Sequence, residues 1–178
     1  MLRLSFLLMF ALVLVACDSE ETTMSDTDLF VGVWTGTSLN VETRVLGVPV
    51  TVPVYDVDDN GGTLTATFTE SGSFTFDLDV EDGSTFEIGG VVLPLADFTV
   101  SGTYAINEST GQITLTLLST TQGDIAGDGD YAFNGDNRLE LSVEDPDLVE
   151  ALIGLADFDN PLPDGTIRGA SISLQRGS

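Results

Sequence analysis

The sequence predicts an all-β fold: eight to ten antiparallel strands in succession, closed as an up-and-down β-barrel or stacked as a sandwich, with one short helix near the C-terminus. Apolar and polar residues alternate with period two from residue 63 onward. Between the alternating runs, Asp, Asn, Ser and Gly cluster at the spacing that antiparallel strands need. The composition supplies the third observation. The 178 residues are 42% hydrophobic and include ten phenylalanines, enough for the core of one domain despite a formal net charge of −24.

The chain opens on MLRLSFLLMFALVLVACDSEE, where Arg3 precedes an apolar run from Leu4 to Ala16. That run is shorter than the roughly 20 residues a membrane-spanning helix needs. A charged start, a short apolar run and a small residue at its end describe a cleavable export signal over residues 1–16. Leu14-Val15-Ala16-Cys17 resembles a bacterial lipobox, which implies acylation, with palmitate-like chains, at Cys17. Two or three such chains, at about 0.8 kcal/mol per buried methylene, make attachment to a membrane effectively permanent. An ordinary secretory signal with an incidental cysteine is the alternative. Cys17 is the sole cysteine, so an internal disulfide is excluded.

Residues 17–28 read as an acidic, flexible tether, too polar to bury anything. The run Asp18-Ser19-Glu20-Glu21 resembles the surface-export signal of some Gram-negative lipoproteins; in other lineages an Asp after the cysteine resembles an inner-membrane retention mark. The expected location is the bacterial cell envelope, by lipid anchor, at the outer membrane and its surface.

The folded domain is expected over residues 29–176. WTGTSLNVETRVLG makes one long strand, and VPVTVPVYDV a second that Pro49 and Pro53 confine to an edge or a bend, because proline donates nothing to a ladder. In TLTATFTE, Leu64, Ala66 and Phe68 share one face and four threonines the other. SFTFDLDV, FTVSGTYAI, QITLTLLS, DYAF, RLELSV and ASISLQ repeat the alternation, and threonine and aromatics suit a pleated surface with one wet face. Turns are expected at DDNGG, ESGS, EDGS, NESTG, NGDN and PDGT. DPDLVEALIGLADF departs from period two: Asp145 is placed as N-cap, Pro146 as first helical residue, and Leu148, Leu152 and Leu155 share a face.

Gly32-Val33-Trp34, opening the first strand, resembles the Gly-x-Trp signature of the lipocalins. ATFTESGSFTF, SGTYAINESTGQITLTLL and YAFNGDNRLELSV resemble the hairpins of lipocalin-like bacterial lipoproteins, and the chain closes on ASISLQR. The resemblance covers about residues 29–176 and implies a lipocalin-like up-and-down barrel. It also implies that Arg176 packs over Trp34 and, with Gly32, closes one barrel end.

Residues 17–178 hold four arginines against 29 acidic residues, with no lysine and no histidine anywhere in the chain. A field of that sign repels nucleic acid, which excludes it as a partner. Acidity without lysine fits work in concentrated salt; a solubilising surface is the plainer alternative.

Without histidine or lysine, and with Cys17 acylated, the common nucleophile–base pairs are missing, so no enzymatic activity is expected. In DVDDNG, Asp56, Asp58 and Asn60 fall at positions one, three and five of a calcium loop, yet Thr67 stands where a bidentate Glu belongs. Asp124, Asp128 and Asp130 form a second acidic segment. Both read first as hairpin turns, with calcium binding as the alternative and no other cofactor expected.

Phe68, Phe74, Phe76 and Phe98, with Tyr104, Tyr131 and Phe133, are the expected inward-facing aromatics. In a small barrel such residues either fill the core or line a cavity. The sequence therefore points to a lipid-anchored protein binding a small hydrophobic ligand. The alternatives are a filled barrel, structural or adhesive, that acts through its loops, and a calcium-dependent surface module.

Overall fold

A computed structural model describes residues 24–45, 47–120, 123–152 and 166–177 of the chain. The expected export signal, Cys17, most of the expected tether, Leu155 and the start of PDGT lie outside the described residues.

Among the described residues, eleven strands and three short helices follow one another: α1 (Asp26–Phe30), β1 (Gly32–Val45), β2 (Val48–Asp56), α2 (Val57–Asn60), β3 (Thr63–Phe68), β4 (Ser73–Asp79), β5 (Thr85–Ile88), β6 (Val91–Pro94), β7 (Phe98–Asn107), β8 (Gln112–Thr120), β9 (Gly123–Phe133), β10 (Arg138–Val143), α3 (Pro146–Leu152) and β11 (Ile167–Arg176). The sheet runs β1-β3-β4-β7-β8-β9-β10-β11 with every neighbouring pair antiparallel, and β11 returns to β1, closing an eight-stranded barrel. Closure leaves no free edge in these eight strands. The expected up-and-down barrel is the fold found.

The predicted alternation maps onto the barrel wall. In β3, Leu64, Ala66 and Phe68 are buried while Thr63 is exposed; in β4, Phe74, Phe76 and Leu78 are buried while Asp77 and Asp79 face water. β1 is the longest strand and serves three partners. Along one edge it pairs with β11 from Trp34 to Thr43. Its other edge is shared by β3 at Gly32–Gly36 and β2 at Ser38–Val45. β2 pairs with β1 alone and carries Pro49 and Pro53, the edge position that a missing N–H requires.

The structure corrects the sequence reading at four places. Residues 25–28 are not tether: Ser25 Oγ accepts from the Asp28 amide at 3.2 Å and caps α1, which docks on the barrel. The DDNGG turn contains a helical turn, α2, followed by Gly61 and Gly62 with positive φ. The acidic segment at Asp124–Asp130 is not a loop but most of β9. Lastly, TFEIGGVVLP forms a hairpin, β5–β6, that the reading passed over. Its Gly89-Gly90 corner has φ of 59° and 88°, as a tight hairpin turn with two left-handed residues requires.

The helix near the C-terminus is present as α3, beginning at Pro146, and Asp145 Oδ1 accepts from the Leu148 amide at 3.0 Å. Leu148 and Leu152 are buried in the barrel core, as their spacing predicts. One hydrophobic cluster runs from Phe30 in α1 through all eight barrel strands to α3 and the β5–β6 hairpin. The described residues from 25 onward thus share one core.

Candidate functional site

One barrel end is shut by α1. Phe30 is fully buried, and its ring lies 5.2 Å from Phe68, 5.0 Å from Tyr131, 5.3 Å from Phe133 and 5.7 Å from Tyr104, centroid to centroid. Three of these contacts are edge-to-face, the arrangement aromatic quadrupoles prefer. Phe74 joins the cluster through Phe68 and Phe76. The sequence reading missed Phe30, the ring around which the others are organised. Ser25 and Asp28, spaced as a helix N-terminus, carried the signal that a helix precedes the first strand.

Beneath this floor, the Trp34 indole donates through Nε1 to the Phe30 carbonyl at 2.9 Å. Arg176 lies over the Trp34 ring and donates to the carbonyls of Leu29 and Val31, the latter at 3.0 Å. Gly32, with φ of 135°, turns the chain from α1 into β1 beside the Arg176 guanidinium. Gly32, Trp34 and Arg176 are therefore together at the closed end, where the resemblance placed them. Tyr131 adds a further latch: its hydroxyl donates to Asp26 Oδ2 at 2.7 Å, and burial first, then Asp26, pushes its pKa well above the usual phenol range.

The opposite half of the lumen differs. Leu39, Leu64, Phe76, Phe98, Leu152 and Ile172, from six different elements, surround an apolar cavity of about 10 Å³. That is room for roughly one water, and the six lining side chains are all apolar. α3 lies over it through Leu152. Of the seven expected lining aromatics, Phe76 and Phe98 meet at this cavity. Phe68, Phe74, Tyr104, Tyr131 and Phe133 do not line it and pack at the closed end instead.

Tyr55 does not line the cavity itself but pairs across β1 and β2 with Leu39, which does. It is wholly buried, and among the described residues its hydroxyl has no acceptor for its proton; the Leu64 backbone lies close enough to the phenol oxygen to offset part of the upward pKa shift that burial causes. A buried hydroxyl left in that state costs about 1–3 kcal/mol. Burial pushes its pKa up, so the group stays a protonated donor at neutral pH. Nothing in the spacing of VPVYDV signals this residue.

The calcium pattern does not assemble as a loop. Asp56 Oδ1 accepts from the Asp58 amide at 2.9 Å and caps α2, and Asp58 is exposed. The side chain of Asn60 lies outside the described residues. On β9, Asp128 and Asp130 occupy the wet face, and Asp128 accepts from the Thr114 hydroxyl at 2.7 Å. Among the described residues, no three acidic, His or Cys side chains converge as metal ligands.

No protein-family model matches the chain, and no curated protein matches it. Among solved structures, a polyisoprenoid binding domain from Saccharophagus degradans, described as implicated in plant cell wall breakdown, is similar over 83% of this chain and 99% of that one, at 15% identity and a TM-score of 0.40. The fold assignment rests on the strand pairings described above.

Proposed function

We propose that the chain is an exported lipoprotein, held to the cell envelope through lipid on Cys17, whose barrel takes a small hydrophobic molecule without chemically changing it. The observation that carries the ligand reading is the asymmetry of the lumen. One end is filled by aromatics around Phe30, whereas the other keeps an apolar cavity lined from six elements. A cavity of that size admits a ligand only if its lid gives way. Among the lining residues, Leu152 sits on a helix of seven residues, α3, rather than on a hydrogen-bonded barrel strand.

Lipid attachment would hold the barrel at the membrane, where apolar molecules concentrate. The affinity for such a molecule would come from apolar burial, at about 25 cal/mol per Å².

Native mass spectrometry of residues 18–178, produced in the natural host, tests the ligand reading. A stable added mass that organic extraction removes supports it. A clean mass, with no uptake of fatty acids or carotenoids, favours the filled barrel, a reading that the tight aromatic packing around Phe30 supports. For the anchor, Cys17→Ser is expected to release the protein in soluble form, and unchanged membrane retention would count against acylation.

A further inference from the structure

The buried hydroxyl of Tyr55 and the apolar cavity share two wall residues. Tyr55 is the register partner of Leu39 across β1 and β2, and directly opposed residues of an antiparallel pair face the same side of the sheet. Leu39 lines the cavity, so Tyr55 belongs to the same inner face. On its other side, the Leu64 backbone lies near the phenol oxygen, while the Leu64 side chain lines the cavity as well.

Leu64 is itself fixed in place. A Cβ added at Gly36 would come within 2.4 Å of the Leu64 side chain, which therefore occupies the space over Gly36. β2 and β3 meet here along one edge of β1, so the hydroxyl sits at the junction of two strands, where the ladder changes partner.

We infer that Tyr55 is the polar contact that orients the ligand: a neutral molecule with an apolar body against Leu39, Leu64 and Phe76 and a hydrogen-bond-accepting oxygen at Tyr55 Oη. This rests on the ligand-binding reading proposed above. Buried polar groups in folded proteins are almost always partnered, and one beside a cavity is a group held ready for a partner. The partner is neutral because none of the described residues lining the cavity is cationic and Asp56 directly follows Tyr55. A carboxylate brought there would lose its hydration with no counter-charge to replace it. A ketone, ester or ether oxygen meets both requirements, accepting one hydrogen bond and carrying no charge.

The test uses residues 18–178 labelled with ¹³Cζ-tyrosine, giving resonances for only Tyr55, Tyr104 and Tyr131. Tyr104→Phe and Tyr131→Phe assign the remaining signal. Octane, 2-octanone and octanoate are titrated into the wild type and Tyr55→Phe, with affinities read by displacement of N-phenyl-1-naphthylamine. In the wild type, 2-octanone is expected to bind about three- to tenfold more tightly than octane, the worth of one neutral hydrogen bond. Octanoate binds weakest.

Tyr55→Phe should abolish the advantage of the ketone while leaving octane unchanged, and only the ketone should shift the Tyr55 resonance. If octane binds and the ketone has no advantage, or keeps it in Tyr55→Phe, the role of Tyr55 is overturned and the ligand-binding reading stands. If none of the three binds, both fail together. Should Tyr55→Phe not fold, the wild-type resonance decides: a ketone-specific shift supports the contact and its absence overturns it.

Discussion

The guanidinium carbon of Arg176, in the last strand, lies 4.5 Å from the ring centroid of Trp34, in the first. The two residues are paired across the β1–β11 seam that closes the barrel, so this contact joins the chain's two ends at the point of closure. Arg176 also donates to the Leu29 and Val31 carbonyls, which ties α1 to the same seam. One side chain thus serves the barrel, its plug and Trp34.

Arg176→Ala is expected to lower the unfolding free energy by about 2–3 kcal/mol, combining a cation–π contact with charge-assisted hydrogen bonds. Arg176→Lys should fall between, because an ammonium keeps the charge but not the planar fork. Urea denaturation reads both. A loss in Arg176→Ala no larger than an exposed substitution gives would show that the seam holds without it.

Stability should fall at high pH. Tyr131, Tyr55 and Tyr104 are all shifted upward, burial being the first cause for each, with the Asp26 hydrogen bond second for Tyr131. Each phenol therefore holds its proton more tightly folded than unfolded. The stability this contributes is complete below about pH 10, the unfolded value, and is lost as pH climbs through the folded one. Urea midpoints measured from about pH 8 to 11.5 should drop past pH 10. Tyr131→Phe should flatten that drop; an identical profile in the variant would remove Tyr131 from the account.

Gly129 has no room for a side chain. An added Cβ would lie 2.0 Å from the Ser142 carbonyl oxygen of the neighbouring strand β10. Gly129→Ala is expected to cost about 1–3 kcal/mol or more, since both partners are ladder backbone and yield little. Gly177→Ala is the control, having nothing within 4 Å. Equal melting temperatures for the two variants would contradict the close approach.

Leu152→Ala removes the part of α3 that lies over the cavity. A buried leucine truncated in this way costs about 2–5 kcal/mol and leaves an enlarged apolar void. Benzene should then raise the melting temperature of Leu152→Ala more than that of the wild type, because an apolar void stays dry and takes an apolar guest. Equal shifts would show that α3 closes over the lost volume.

The charge makes its own prediction. With a formal net charge of −24 and a screening length that shrinks from about 10 Å at 0.1 M salt to about 3 Å at 1 M, self-repulsion in the folded barrel should fade as salt rises. The melting temperature is expected to climb across that range in potassium chloride. A flat response would sink the reading of the acidic surface as an adaptation to concentrated salt.

Much of the wall could be read along the chain, because each strand's alternation is a local consequence of the pleat. Leu64, Ala66 and Phe68 were assigned one face, and they share it. The prolines of β2 announced an edge, since a missing N–H is a property of the residue and not of its neighbours. Asp145 and Pro146 marked the start of α3 for a similar reason, as orphan amides in a first turn need a nearby acceptor. Trp34 and Arg176 were brought together by resemblance rather than by pattern.

The glycines of β9 show where local reading stops. GDIAGDGDY has the composition of a turn, yet it is a strand in which two glycines are required by what approaches them: Leu148 and Asp145 over Gly127, and the β10 backbone beside Gly129. That approach belongs to the assembled barrel and leaves no mark in the neighbouring sequence.

The sequence by itself determined which residues face inward along strands such as β3 and β4, where the edge lies and how α3 begins, all through periods and propensities that act over a few residues. Only the tertiary structure decided how the lumen is divided. Phe30 draws Phe68, Tyr104, Tyr131 and Phe133 into a plug at one end, and the cavity beside Tyr55 is left at the other. Inward-facing positions are set by the pleat of one strand, but what they enclose depends on contacts between residues far apart in the chain, as Phe30 and Phe133 are, and only closure of the barrel brings such residues into contact.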